Sequence, residues 1–202
     1  MSALSAKLWL VRHAQPLVDA GLCYGALDAP ACPAKTQQVA QQLALALPQK
    51  AQVTTSPLLR CTQLAQALLA LRPDLHLLAD ARLREMDFGA WEGRAWDSIA
   101  AADMAAWTAD FAHHAPGGGE SVAALMARVA QIWDEAGDEA RTGTCATKQP
   151  RLWITHAGVM RATQLMAQGQ RHITQAAQWP AGHIDFGQRL EFALLQPGIV
   201  KK

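Results

Sequence analysis

Arg12, His13, Arg60, Glu85 and His156 are the residues of this chain whose types and spacing could do chemistry. Arg12 and His13 end the apolar run of "KLWLVRHAQP", and His156 ends "RLWIT". Arg60 follows "QVTTSP", and Glu85 follows "LHLLA". Singly, each has an ordinary explanation: a strand exit, a solvated helix face, a hydrogen-bonded core histidine. Together they suit phosphoryl transfer. Planar guanidinium forks match the oxygens of a phosphomonoester dianion. A neutral imidazole nitrogen is a competent nucleophile, and a covalent phosphohistidine divides the reaction into two easier steps. A protonated carboxyl group can give its proton to the leaving alkoxide and then, as carboxylate, activate water.

Such a set works only if the fold gathers it. Leu8 to Val11 reads as a strand covered on both faces, as in a parallel sheet. Pro33 opens a helix whose Val39, Leu43 and Leu47 share one face, and Pro48 closes it. "QVTTSP" is a second strand, with Ser56 as N-cap and Pro57 as first residue of a helix carrying Leu64, Leu68 and Leu71. "LHLLA" is a third strand. A weakly helical stretch from Trp96 to Phe111 precedes "HHAPGGGES", and Ser121 caps a helix with Val122, Leu125, Val129 and Ile132 inward. Residues 137–150 lack periodicity and are expected to form a surface loop. "RLWIT", the helix "AGVMRATQLMA" and the edge strand "RLEFALL" complete the chain. Alternation of this kind predicts an α/β three-layer sandwich with a mainly parallel central sheet flanked by helices, and one domain over residues 1–202. Parallel sheets bind ligands beyond the carboxyl ends of their strands, which is where the five residues fall. Helix N-termini after the second and fourth strands are expected to add backbone donors there.

Composition narrows the partners. Half of the 202 residues are hydrophobic, 17% are charged and the net charge is +1, which fits a globular protein and favours neither nucleic acid nor a membrane surface. Anion binding therefore has to come from locally placed cations. Cys23, Cys32, Cys61 and Cys145 make no CxxC pair, so no zinc or redox motif is signalled. The adjacent His113 and His114 have no partner at i,i+4, and no metal or other cofactor is expected. The first residues lack a signal-peptide core, and no run approaches the ~20 apolar residues of a membrane span, so a cytoplasmic location is expected.

In order along the chain, "LVRHAQP", "TSPLLRCTQLA", "LREMDFGAWEG", "PGGGES" and "WITHAGVMRA" resemble the successive motifs of the histidine phosphatase superfamily, the phosphoglycerate mutase-like proteins. The resemblance implies that His13 is the phosphorylated nucleophile and that Arg12 and Arg60 clamp the phosphate. It implies that His156 contacts the phosphoryl group and that Glu85 is the proton donor. Asp87, Glu92 and Arg84 are read as structural or surface residues. The chain departs from the family pattern at Asp19, where asparagine is usual, and a carboxylate there would repel a phosphate unless turned away. It departs again at Pro30-Ala31-Cys32 and Lys35, which alters the start of the first helix, where Thr36 could cap instead.

Within the superfamily, "CYGALDAP" and "LREMDFGAWEGRAWDSI" look most like α-ribazole phosphatase, which removes a 5′-phosphate during cobalamin biosynthesis. Tyr24, Trp91 and Trp96 are then candidates for contact with a flat benzimidazole, with Met104 and Trp107 in a segment that could form a lid; packing is the competing reading of these aromatics. The expected partner is a small phosphate ester, and a homodimer is left open. A broad sugar-phosphate phosphatase and a phosphoglycerate mutase are the alternative enzymes. A phosphate-binding module without catalysis is a weaker reading, since binding alone needs neither His13 nor Glu85.

Overall fold

Alternate residues of the first strand feed two different cores, and this organises the molecule. The computed structural model describes residues 6–142 and 150–194. In β1 (Ala6–Arg12), Leu8 and Leu10 face one side of the sheet and Trp9 and Val11 the other. Trp9 and Val11 join Val39, Ala40 and Leu43 of α1 (Pro33–Ala46) with Leu64 and Leu68 of α2 (Leu59–Leu71). Leu8 and Leu10 join Leu125, Val129 and Ile132 of a long later helix, Val122–Thr142, and Val159 and Met160 of another, Ala157–Ala167. Each fully buried aliphatic side chain contributes about 1.5–3 kcal/mol, so both layers hold the sheet firmly.

The remaining strands are β2 (Gln52–Thr55), β3 (His76–Ala79), β4 (Arg151–Thr155) and β5 (Arg189–Leu194), in the spatial order β3-β2-β4-β1-β5. All pairings are parallel except that of β5 with β1. β5 alternates between exposed and covered positions, as expected of a sheet margin. Between β3 and β4 the chain runs through α3 (Ala101–Ala109) and α4 (Val122–Thr142), and α5 (Ala157–Ala167) follows β4. β4 returns between β2 and β1, so its end lies between theirs. Two further backbone bonds keep the strands in step beyond their ends: His13 donates to the carbonyl of Thr155 at 3.0 Å, and Ser56 to that of Ile154 at 2.9 Å.

Some expectations change. α4 runs through Gly137 to Thr142 instead of giving way to a loop, because Ala136 and Ala140 continue its apolar stripe and Glu139 pairs with Arg151 at 2.6 Å. Alanines carry that stripe weakly, which is why periodicity did not show it; residues 143–149 of the expected loop, with Cys145, lie outside the described residues. Leu71 is 41% exposed, and Cys61 and Ala65 complete the buried face of α2 instead. Leu58 rather than Ser56 is the N-cap of α2, and Cys32 rather than Thr36 that of α1. Among the described residues, no helix is long and apolar enough to cross a membrane.

Candidate active site

Beyond the ends of β1, β4 and β2 sit His13, His156 and Ser56, all essentially buried. The rings of His13 and His156 lie 5.1 Å apart. Nδ1 of His13 is 2.7 Å from the carbonyl oxygen of Ala14, which can only accept, so Nδ1 carries the proton. The lone pair is therefore on Nε2, the nitrogen available for nucleophilic attack. Burial lowers the pKa of His13 well below the usual imidazole range, and the guanidinium charges of Arg60 and Arg12 push the same way, against the Ala14 bond. At neutral pH the ring is uncharged and competent.

His156 is likewise neutral, first through burial and then through Arg60, with His13, Arg128 and Arg12 adding to the effect. Its Nδ1 accepts a bond from Nε of Arg60 at 3.3 Å, which leaves the proton on Nε2, 2.9 Å from the hydroxyl of Ser56. Both ring nitrogens are thus engaged within the protein. Cys61 Sγ is also 3.4 Å from Nε2, but burial pushes this thiol's pKa far up, so it supplies no thiolate.

Arg60, 0% exposed, also donates to the carbonyls of Leu27 at 2.8 Å and Gly25 at 2.6 Å. Its guanidinium carbon is 5.5 Å from the ring centroid of Tyr24. The turn that supplies these carbonyls is held by Glu92, whose carboxylate accepts from the backbone of Gly25, Ala26, Leu27 and Phe88. A side chain at Gly25 would sit 1.9 Å from the Met86 carbonyl oxygen, so only glycine lets the turn approach this closely. Arg12 donates to the carbonyl of Ile184 at 2.5 Å and lies 3.9 Å over the ring of Phe186, while its buried Nε has no partner among the described residues. Among those residues, too, neither Arg12 nor Arg60 has an acidic partner within ion-pair distance. Two guanidinium charges beside two neutral imidazoles form a pocket in want of a dianion.

Glu85 reaches the same strand-end edge from the loop after β3. Its Oε2 accepts from the backbone of Gly158 at 3.0 Å, at the start of α5. A β-carbon at position 158 would lie 2.3 Å from Oε1, so this glycine makes room for the carboxylate. Arg128 of α4 fixes the loop itself, donating to the carbonyls of Arg82, Arg84 and Glu85 while paired with Glu120 at 2.7 Å. At each of the two helix N-termini, one backbone N–H serves a carboxylate of this chain: Gly158 donates to Glu85, and Leu59 to Asp28 at 2.5 Å.

Not every candidate arrives. Trp91, 4% exposed, packs with Cys23 and Ile99, and Trp96 lies edge-on to Phe88 and Trp91 at 5.2 and 6.4 Å between ring centroids. Trp107 joins the same cluster, so these aromatic faces are spent on one another. Asp19 is exposed, and among the described residues it makes no hydrogen bond or ion pair with Arg12, His13, Arg60 or His156. Sequence reasoning missed Ser56 as a partner of His156, Arg128 as the anchor of Glu85, and the segment 180–186. Arg161 ties that segment down through the carbonyls of Pro180 at 2.9 Å and Gly182 at 3.1 Å. No sequence period signals a loop held by arginines from two different elements. Among the described residues, no group of three or more His, Cys, Asp or Glu side chains is arranged to hold a metal ion.

An α/β sheet whose strand ends gather a neutral, oriented imidazole, two guanidinium groups without acidic partners among the described residues and a carboxyl defines a phosphoryl-transfer site of the histidine type. The chain belongs to the histidine phosphatase superfamily (branch 1), whose sequence pattern matches residues 8–183. It is a metal-independent phosphoric monoester hydrolase of that superfamily. Among solved structures it is similar to a mycobacterial glucosyl-3-phosphoglycerate phosphatase, at 25% identity and a TM-score of 0.76, covering 93% of this chain and 89% of that one. It is also similar to mycobacterial hydrolase 2, at 25% identity and a TM-score of 0.75, covering 96% of this chain and 84% of the other. A protein from Thermus thermophilus is 28% identical, with a TM-score of 0.65 and 92% of each chain covered. No curated protein sequence matches the chain significantly.

Proposed function

We propose that the chain hydrolyses phosphate esters of small alcohols through a phosphohistidine on Nε2 of His13. The observation that carries this reading is the bond from Nδ1 of His13 to Ala14, which leaves Nε2 unprotonated near two arginines that have no acidic partner among the described residues. Nε2 attacks phosphorus, the bond from phosphorus to the ester oxygen breaks, and the Glu85 carboxyl gives its proton to the departing alkoxide. Water then attacks phosphorus, Glu85 takes its proton, the N–P bond breaks and inorganic phosphate leaves. Arg12 and Arg60 hold the non-bridging oxygens and the charge that grows on them. His156 orients Arg60 through Nδ1; direct contact with the phosphoryl group requires it to release Ser56 or Arg60.

Two substrates are set against each other by this reading. α-Ribazole phosphate is favoured by the resemblance of "CYGALDAP" and "LREMDFGAWEG", and Tyr24 beside Arg60 and Phe186 beside Arg12 and His13 remain as aromatic groups for it. A sugar phosphate is favoured by the mycobacterial glucosyl-3-phosphoglycerate phosphatase, and by the withdrawal of Trp91 and Trp96 into their own cluster. We favour the sugar phosphate.

The test is acid-quenched mass spectrometry during turnover. Wild type should carry one phosphoryl group on His13, and His13→Ala should lose both label and turnover. Turnover by His13→Ala at the wild-type rate would overturn the proposal. Glu85→Gln should slow esters of poorly acidic alcohols by about 10²–10⁴-fold and activated aryl esters far less; equal loss on both would remove Glu85 from the acid role.

A further inference from the structure

A general acid has to touch the leaving oxygen, so the space beside Glu85 opposite the phosphate is where the alcohol must go. Glu85 lines a cavity of about 590 Å³ together with Arg84, Asp87, His113 and Ser121. Its volume lies within the roughly 300–1,000 Å³ of small-molecule sites. Ala26, in the turn whose flanking carbonyls hold Arg60, also lines it.

We propose that this cavity binds the alcohol half of the ester and selects a polyhydroxylated alcohol, with Arg84, Asp87 and His113 setting the specificity. The inference rests on the reading of Glu85 as proton donor. Its own support is the make-up of the wall. Among the described residues, no tryptophan, tyrosine, phenylalanine, leucine, isoleucine, valine or methionine lines the cavity; what is not polar there is alanine and glycine. Arg128 is spent on Glu120 and on backbone carbonyls, but the side chains of Arg84 and His113 are exposed and take no hydrogen bond or ion pair among the described residues. Asp87 uses one carboxylate oxygen on the backbone of Gly89 at 2.8 Å and leaves the other to a ligand. Donors and acceptors thus stand around a small-walled space, and adjacent hydroxyl groups can satisfy both kinds at once. A flat aromatic alcohol would displace water from these groups and return no hydrogen bonds.

The test compares glucose 6-phosphate with benzyl phosphate, since both release a primary alcohol and differ in the hydroxyl groups. Wild type should favour glucose 6-phosphate by at least tenfold in kcat/KM. Arg84→Ala and His113→Ala should each reduce that ratio at least fivefold, and Ala124→Phe, which fills the cavity from an exposed position of α4, should do so without removing a polar group. Preference of the wild type for benzyl phosphate, or equal loss on both esters in all three variants, would overturn the proposal. The phosphoryl group trapped on His13 with either ester separates this failure from failure of the phosphohistidine mechanism itself.

Discussion

His13 and His156 are the same residue type under nearly the same burial, yet their hydrogen bonds give them opposite tautomers. A backbone carbonyl fixes the proton of His13 on Nδ1, whereas the Arg60 Nε–H fixes that of His156 on Nε2. The first ring is left with a free lone pair and the second with a proton directed at Ser56. Ser56→Ala would leave that buried N–H short of its main acceptor, with only the weaker sulfur of Cys61 nearby. We expect a stability loss of about 1–3 kcal/mol by urea denaturation. We also expect a higher KM for phosphate esters, because Arg60 is held through the other nitrogen of the same ring. An unchanged KM would show that Arg60 needs no support from His156.

At the scale of elements, the acid is placed by helices it does not belong to. The stretch that carries Glu85 has only the single 3-10 turn Ala81–Leu83 before it, and Arg128 of α4 supplies three bonds to its carbonyls while α5 supplies the backbone N–H of Gly158. Replacing Arg128 with methionine keeps much of the packing and removes those bonds. The expected result resembles the loss of Glu85 itself: kcat for alkyl phosphates falls at least tenfold, with a smaller fall for aryl phosphates, whose leaving groups need less help. Equal falls, or none, would show that the loop holds its shape unaided. The segment 180–186 is fixed in a similar way, by Arg12 from β1 and Arg161 from α5.

For the whole molecule, the buried histidines couple folding to pH. Both have pKa values lowered in the folded state, so below about pH 6.5 the unfolded chain binds protons that the folded chain refuses. Their contribution is complete above that pH and is lost as pH falls through it, by about 1.4 kcal/mol per pH unit for each ring. Urea unfolding at pH 7.5 and 5.5 should show this drop, and His13→Asn should remove roughly half of the slope. A flat profile would mean that the folded protein accepts those protons. Phosphate should offset the drop, since a dianion between Arg12 and Arg60 relieves the field that disfavours imidazolium.

By itself the sequence determined the α/β alternation, the strands, and the arrival of Arg12, His13, Arg60, Glu85 and His156 beyond the strand ends. Short apolar runs and prolines are local signals, and residues that follow a parallel strand share one edge whatever the details of packing. Only the tertiary structure decided which nitrogen of each histidine is free, that the tryptophans face one another, and that Ser56, Arg128 and Arg161 hold the site. The His156 tautomer and the anchoring of Glu85 depend on contacts between residues 43 to 100 positions apart, such as Ser56 with His156 and Arg128 with Glu85; the His13 tautomer, the tryptophan cluster and the arginine-held loop depend on backbone direction and packing that no periodicity marks.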